Sequence, residues 1–170
     1  TKTEIEDLIV IEPKTFGDDR GYFLESFNKK WFNENVTETN FIQDNESKSS
    51  RGVLRGLHFQ IPPFSQSKLV RVIQGEVLDV VVDLRKESKT YGRTYSIILN
   101  SENKKQLFVP RGFGHGFSVL SESAIFSYKV DNHYSPEHEG GIIWNDKTLN
   151  IDWNLNSSEV KLAEKDKELQ

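Results

Sequence analysis

Short runs of β-branched and aromatic residues, separated by Gly, Asn, Ser and Pro, recur about every 8–12 residues along most of the chain. The clearest run, residues 76–84 (EVLDVVVDL), is almost continuously apolar, as expected of a strand buried on both faces. Residues 67–73 instead alternate apolar and polar positions, as half-buried strands do. The predicted strands are residues 8–12, 22–27, 41–45, 53–60, 67–73, 76–84, 94–99, 106–109, 116–120 and 124–130.

Helical patterns are confined to two short segments, residues 28–36 and the charged residues 160–169. Neither is long enough for a crossover between parallel strands, which needs about a dozen residues or more. Many short strands with few helices favour an all-β fold, a jelly-roll barrel or β-sandwich with short peripheral helices. No linker, repeat or low-complexity segment divides the chain, so residues 1–170 are predicted to form one domain.

The composition excludes several classes of protein. Lys and Arg total 22 against 26 Asp and Glu, and the resulting net charge of −4 argues against a nucleic-acid-binding protein. The absence of cysteine excludes disulfides, thiolate-bound zinc, iron–sulfur clusters and a cysteine nucleophile, and it is compatible with a cytoplasmic location. No apolar run is long enough to span a membrane and no signal peptide is visible, so no membrane association is expected.

His58 and His115 need an explanation, because each lies among glycine and apolar residues in a β-rich segment. They are either half-buried structural histidines or parts of a site. Many jelly-roll enzymes bind a metal through His-x-His, a following Glu and a later His. Here Gln60 stands in place of the second His, no Glu follows closely, and the nearest charged side chain is the cation of Lys68. This pattern argues against a first-row metal site.

The cations near these histidines suggest a different ligand. Arg55 and Lys68 flank His58, and Arg20 lies in an earlier turn bounded by glycines. Three cations and a histidine inside one barrel would suit an anion such as phosphate or diphosphate, since Arg offers a bidentate fork and Lys a point charge. Alternatively, each cation forms a structural ion pair. The candidate partners for such pairs are Glu25, Asp44 and Asp83.

Three further side chains allow a structural and a functional interpretation. Tyr128, on a predicted apolar strand, either fills the core or donates a proton if a nearby cation lowers its pKa. Tyr134 follows the end of that strand, where an aromatic ring could stack on a base. Asp166 would ordinarily be a solvated residue of the C-terminal tail.

Several segments, in order and at fitting spacing, resemble the dTDP-4-dehydrorhamnose 3,5-epimerase family of metal-free cupins. The resemblance extends from about Ile11 to Asp166. The matching segments are residues 16–27 (FGDDRGYFLESF), 43–45 (QDN), 52–60 (GVLRGLHFQ), 68–77 (KLVRVIQGEV), 82–85 (VDLR), 110–117 (PRGFGHGF), 128–129 (YK), 134–137 (YSPE), 144–146 (WND) and 165–166 (KD). A set of this size is far more specific than one short motif.

The resemblance implies roles for individual residues. His58 is expected to be the general base, oriented by Asp166, and Tyr128 the acid on the opposite face of the sugar. Lys68 is expected near an enolate oxygen, with Asp83 beside it, and Tyr134 is expected to stack on thymine. The remaining expected contacts to the nucleotide sugar are Arg20, Glu25, Gln43, Asp44, Asn45, Arg55, His115, Glu139 and Lys165.

The resemblance also implies a reaction: epimerisation of dTDP-4-dehydro-6-deoxy-D-glucose at C3 and C5, on the route to dTDP-L-rhamnose, without a cofactor or metal. It implies a homodimer with strands exchanged between subunits, so some contacts can come from the partner. The alternatives left open are a mono-epimerase acting at C3 or C5 of a related nucleotide sugar, a non-catalytic nucleotide-sugar-binding cupin, and a metal-dependent cupin that lacks the usual ligands.

Overall fold

Two five-stranded antiparallel sheets pack face to face in the computed structural model, which describes residues 1–169. The first sheet has the order β1-β9-β6-β11-β4, and the second has the order β12-β5-β10-β7-β8. A separate hairpin is formed by β2 and β3. The strands are β1 Ile9–Ile11, β2 Thr15–Asp18, β3 Gly21–Leu24, β4 Gln43–Ser50, β5 Leu54–Gln60, β6 Lys68–Gln74, β7 Glu76–Asp83, β8 Thr94–Asn100, β9 Gln106–Val109, β10 Phe113–Val119, β11 Ser123–Val130 and β12 Glu139–Gly141.

The pairing of the strands is nested. Strand β4 pairs with β11, β5 with β10, β6 with β9, and β7 with β8, in every case antiparallel. Nested antiparallel pairs divided between two sheets are the arrangement of a jelly roll. The predicted all-β sandwich with short peripheral helices is therefore confirmed.

The main core lies between the two sheets, and it follows from the alternation of the strands. On β11, Ala124, Phe126 and Val130 are buried, whereas the residues between them are less buried. Because side chains of a strand point alternately to its two faces, one face of β11 contributes to the core. The ring of Phe126 stacks on that of Phe117 from β10, with centroids 4.2 Å apart, and this contact joins the two sheets.

Strand β7 is apolar on both faces because both faces are covered. Val77 and Val81 belong to the core between the sheets. Leu78, Val80 and Val82 instead pack with Trp153 and neighbouring residues of the C-terminal segment. The continuous apolar run predicted for residues 76–84 thus reflects a strand sandwiched between a sheet and an irregular segment.

Both helices are shorter than the segments that the sequence pattern predicts. Helix α1 spans Lys29–Asn35, and the side chain of its N-cap residue Asn28 accepts a hydrogen bond from the backbone N–H of Trp31. Helix α2 is a single turn, Glu164–Lys167, so the prediction of a helix over residues 160–169 is wrong for most of that length. Residue Lys161 instead forms a parallel bridge with Val53 at the start of β5.

Three strands differ from the sequence pattern near glycines. The glycine-bounded turn predicted around Arg20 is the tip of a hairpin, because β2 and β3 pair from Thr15 and Leu24 as far as Asp18 and Gly21. Strand β10 begins at Phe113, three residues before the predicted start, because its glycines do not interrupt the pairing with β7. No helix within residues 1–169 has the length and apolar character needed to cross a membrane.

Candidate active site

A cavity of about 480 Å³ opens between the two sheets, and both sheets contribute its walls. The first sheet supplies residues of β4, β6 and β11, and the second supplies residues of β5, β10 and β12. The polar residues around it are Gln43, Asn45, Glu46, Ser47, Arg55, His58, Gln60, Gln66, Lys68, His115, Tyr128, Tyr134, Glu139 and Lys165. Most of the residues singled out in the sequence therefore lie around one space.

A His–Asp pair occupies one wall of the cavity. Nε2 of His58 lies 2.6 Å from Oδ1 of Asp166, whose side chain is 2% exposed. Helix α2 positions this carboxylate, and Lys161 ties the same segment to β5 through backbone hydrogen bonds with Leu54 and Gly52. Burial lowers the pKa of His58, and the hydrogen bond to Asp166 opposes this effect only in part. The ring is therefore largely neutral at pH 7, as a proton acceptor must be.

The close approach of β5 and β10 places His58 opposite His115. Gly56 and Gly116 make this approach possible. A Cβ on Gly116 would lie 2.5 Å from the carbonyl oxygen of Arg55, and Gly56 has a positive φ of 113°. A side chain at either position would push the two strands apart.

Tyr128 lies on β11, and therefore on the sheet opposite to His58. Burial raises the pKa of its hydroxyl, and the positive charge of Arg55 opposes this effect in part. The sequence left open whether a nearby cation lowers this pKa; Arg55 and Lys165 act in that direction, but desolvation of the phenolate outweighs them. Tyr128 is consequently a protonated group throughout the physiological pH range.

Lys68, at the start of β6, is one of the cations that line the cavity. Burial lowers its pKa to about 8, and the charge of Asp79 opposes the decrease. No carboxylate of residues 1–169 lies within ion-pair distance of its ammonium group. Lys68 is therefore a desolvated cation that is still mostly charged at pH 7.

Asp79 was not identified from the sequence. It is fully buried on β7, and its carboxylate lies 2.9 Å from Nε2 of His115. It is also the carboxylate that supports the charge of Lys68. The only sequence signal was an acidic residue inside the apolar run 76–84, where an ionised side chain needs a partner.

Asp83 does not lie beside Lys68, so that expectation is wrong. Its buried carboxylate accepts hydrogen bonds from Arg85, Ser88 and Thr90 at the far end of β7. Burial alone would raise the pKa of Asp83, but these donors hold it far below its usual value. Asp83 forms a structural network with Arg85, and the carboxylate whose charge acts most strongly on Lys68 is Asp79.

An aromatic residue and two charged residues form the outer rim. The hydroxyl of Tyr134 donates to Oε2 of Glu139 at 2.9 Å, and Nζ of Lys165 donates to Oε1 of the same carboxylate at 3.2 Å. Burial would raise the pKa of Glu139, yet these two hydrogen bonds hold it below its usual value. The ring of Tyr134 itself is 55% exposed and free to receive a flat ligand.

Strand β4 places only part of the predicted QDN motif at the cavity. Gln43 and Asn45 lie on its wall, and Nε2 of Gln43 donates to Oδ1 of Asn45 at 2.8 Å. Asp44 points to the other face of the sheet, where it accepts from Nζ of Lys129 at 2.7 Å. Its assignment to the site is wrong, because successive residues of a strand face opposite sides.

Arg20 and Glu25 do not reach the cavity of their own chain. Arg20 is at the end of the β2–β3 hairpin, with a side chain that is 90% exposed and paired only with Asp18. Glu25 follows the hairpin and lies beside a separate apolar cleft near Phe27 and Trp31. Within the described residues, no group of three or more His, Asp and Glu side chains is placed to hold a metal ion.

Comparison with known proteins places this geometry in a known context. The family model described as dTDP-4-dehydrorhamnose 3,5-epimerase matches residues 2–170. A relative of that name from Shigella flexneri is 56% identical over 153 residues, which cover 89% of this chain and 84% of the relative.

Two solved structures are similar over nearly the whole chain. The dTDP-4-dehydrorhamnose 3,5-epimerase of Elizabethkingia anophelis has a TM-score of 0.95 and 51% identity, and the match covers 99% of this chain and 93% of that chain. The dTDP-6-deoxy-D-glucose-3,5-epimerase of Legionella pneumophila, solved in complex with dTDP-4-keto-L-rhamnose, has a TM-score of 0.94 and 48% identity. That match covers 98% of this chain and 88% of the other.

Proposed function

This chain belongs to the dTDP-4-dehydrorhamnose 3,5-epimerase family, and we propose that His58, Tyr128 and Lys68 carry out the family's reaction in the cavity between the sheets. The chain is an isomerase that inverts C3 and C5 of dTDP-4-dehydro-6-deoxy-D-glucose. The product is dTDP-4-dehydro-L-rhamnose, an intermediate of dTDP-L-rhamnose synthesis. The observation that carries the residue assignment is the 2.6 Å contact between His58 and buried Asp166 at the wall of the cavity.

The chemistry requires a base, an acid and a stabilised oxyanion. The 4-keto group acidifies the C–H bonds at C3 and C5, because removal of either proton gives an enolate. Inversion results when the proton is removed from one face of the sugar and returned to the other. Each cycle takes up one proton and gives back one proton, so the reaction balances without a cofactor.

His58 is proposed to remove the proton. Its ring is neutral because burial lowers its pKa, and a neutral imidazole is a suitable base near pH 7. Asp166 holds the ring orientation and stabilises the imidazolium that forms. This assignment makes Asp166 a positioning residue, since its carboxylate is turned toward His58 and is almost entirely buried.

Tyr128 is proposed to return the proton. It lies on the sheet that faces His58, so a sugar bound between the sheets would meet the base on one side and the phenol on the other. Lys68 is proposed to stabilise the enolate oxygen, because its ammonium group is desolvated and has no competing ion pair among residues 1–169. The charge of Asp79 opposes the lowering of the pKa of Lys68 by burial.

The polar rim is proposed to bind the nucleotide. Tyr134 offers an exposed aromatic face for the base, and Arg55 and Lys165 offer positive charge for the diphosphate. The other proposed contacts from this chain are Gln43, Asn45, His115 and Glu139.

The β2–β3 hairpin is proposed to complete the site of a second copy of the chain. Phe16, Tyr22 and Phe23 are 54%, 60% and 68% exposed, although they are large apolar residues on paired strands. A homodimer with exchanged hairpins would bury these rings, and it would carry Arg20 and Glu25 into the partner's cavity.

Mixed dimers test this arrangement. Arg20→Ala and His58→Ala are each expected to lose most activity alone. Mixing them is expected to restore part of it, because one site of each mixed dimer then contains both native residues. If Arg20 acts within its own chain, mixing restores nothing, and a monomer in analytical ultracentrifugation would also refute the exchange.

Proton exchange tests the reaction itself. The protein is incubated in D2O with dTDP-4-dehydro-6-deoxy-D-glucose, and deuterium is followed at C3 and C5 by NMR. Deuterium is expected at both carbons and is expected to be lost in His58→Ala. Deuterium at a single carbon would identify a mono-epimerase instead. Exchange that persists in His58→Ala would refute the assignment of the base.

We also propose that the protein is cytoplasmic, as expected from the sequence.

A further inference from the structure

Gln60 uses its side-chain amide to hold two loops at the rim of the cavity. Its Nε2 donates to the carbonyl oxygen of Phe64 at 2.7 Å and to that of His133 at 3.0 Å. Its Oε1 accepts from the backbone N–H of Ser135 at 2.8 Å. The side chain is buried and both of its N–H groups are used, so its polar groups are directed at the backbone.

Two of these three hydrogen bonds flank Tyr134. The carbonyl of His133 belongs to the peptide group before Tyr134, and the N–H of Ser135 belongs to the peptide group after it. One side chain therefore fixes both peptide planes on either side of this residue. The side chain of Tyr134 bonds to Glu139 through its hydroxyl and the residue is 55% exposed, so the orientation of its ring depends on the peptide groups that flank it.

We propose that Gln60 is a positioning residue that preorganises Tyr134 to stack on the nucleotide base. This proposal rests on the proposed function, because it assumes that Tyr134 receives the base. An aromatic side chain on a loop loses conformational freedom when a ligand stacks on it, and a clamp formed in advance reduces that loss. The clamp would thus increase affinity for the nucleotide without entering the chemical step.

The position of Gln60 in β5 also links Tyr134, which is proposed to bind the nucleotide base, to His58, the proposed general base. His58 and Gln60 are two residues apart on one strand, and so share a face at a spacing of about 7 Å. This is the position at which the sequence pattern His-x-His would place a second metal ligand. Here Gln60 instead ties the loop containing Tyr134 to the strand containing His58. The residue proposed to bind the base and the residue proposed to act on the sugar are therefore both positioned by β5.

Binding of dTDP, measured by titration calorimetry, tests the clamp. Gln60→Met has a similar volume but makes none of the three hydrogen bonds, and it is expected to weaken dTDP binding about tenfold. Gln60→Glu retains only the acceptor for Ser135 and is expected to weaken binding as well. In kinetics with dTDP-4-dehydro-6-deoxy-D-glucose, KM is expected to rise while kcat changes less than about twofold, the pattern of lost uniform binding.

A double-mutant cycle with Tyr134→Ala distinguishes positioning from general disruption. If Gln60 acts through Tyr134, Gln60→Met adds little in the Tyr134→Ala background. An equal effect in both backgrounds, or no effect of Gln60→Met on binding, would overturn the clamp. If Tyr134→Ala alone leaves dTDP binding unchanged, the proposed stacking of the base on Tyr134 is refuted, and so is the proposed role of Gln60. Thr90→Val, which removes a buried hydrogen bond far from the cavity, serves as the control for loss of stability and is expected to leave binding unchanged.

Discussion

Nε2 of His58 lies 2.6 Å from Oδ1 of Asp166, although 108 residues separate the two along the chain. The histidine is on the central part of β5, whereas the aspartate is on the single turn of α2 near the C-terminus. The contact depends on the whole C-terminal segment, which passes over β7 and is fixed to the start of β5 by Lys161. The proposed base and its orienting carboxylate thus come from segments that are far apart in the chain.

Asp166→Asn is expected to lower kcat by about 10²-fold, because the amide keeps the shape of the side chain but cannot stabilise the imidazolium. Since the carboxylate raises the pKa of His58, its loss is also expected to move the acid limb of the kcat/KM profile to lower pH. The profile is measured for both proteins. Glu164→Gln, an exposed change on the same turn, is the matched control, and an equal loss in that variant would count against a specific role for Asp166.

The pH dependence of kcat/KM is expected to be bell-shaped. Activity should fall below the usual pKa of histidine, about 6.5, as His58 becomes protonated, because burial places its pKa below that value. Activity should fall again near pH 8 as Lys68 loses its proton. Tyr128 cannot cause this alkaline limb, because burial raises its pKa.

Lys68→Arg tests whether the loss of a proton from Lys68 causes the alkaline limb. Arginine stays charged to far higher pH, so the limb near pH 8 is expected to disappear even if the altered geometry reduces the maximal rate. A limb that stays near pH 8 in this variant would show that another group titrates there.

Tyr128→Phe is expected to separate proton removal from inversion. His58 is intact in this variant, so deuterium from D2O should still enter the substrate by return to the original face, whereas epimerised product should fall by about 10²-fold or more. NMR of the recovered sugar measures both quantities. Tyr95→Phe, a change on β8 outside the cavity, is the control and should retain full activity. Normal inversion in Tyr128→Phe would remove the phenol from the mechanism.

Asp83→Ala is expected to reduce the free energy of unfolding by about 3 kcal/mol, because the guanidinium of Arg85 and the hydroxyls of Ser88 and Thr90 lose their acceptor. Urea unfolding measures the loss. The pKa of Asp83 is lowered in the folded protein, so its stabilisation is present at neutral pH and is lost only as the pH falls into strong acid. The affinity of the folded variant for dTDP should be unchanged, and a weakened affinity would show that Asp83 contributes to nucleotide binding.

Within the site, the sequence was most informative where local pattern and chemistry coincide. His58, Lys68 and Tyr128, whose roles the family resemblance implies, lie on predicted strands, and all three line the cavity. The spacing of strands and turns likewise predicted the jelly roll, because a chain of short strands without long helices has few other ways to cover its apolar faces.

The misassigned residues of β7 and β4 are both carboxylates, and the two cases have different causes. An acidic residue in an apolar run must have a partner, but sequence does not identify it: Asp79 and Asp83 occupy the same strand and the same face, four residues apart. Only the packing shows that Asp79 meets His115 and that Asp83 meets Arg85. Asp44 differs, because strict alternation along β4 already separates it from its two neighbours.

The sequence by itself determined most of the strand segments, the jelly-roll class and the family, since these depend on local periodicity and on motifs that are contiguous in the chain. The tertiary structure decided the burial of Asp166 against His58, the contact of Asp79 with His115, and the position of Arg20 outside its own cavity. These are contacts between elements distant in sequence. Their burial sets the desolvation that moves each pKa, and burial is a property of the assembled fold rather than of any segment.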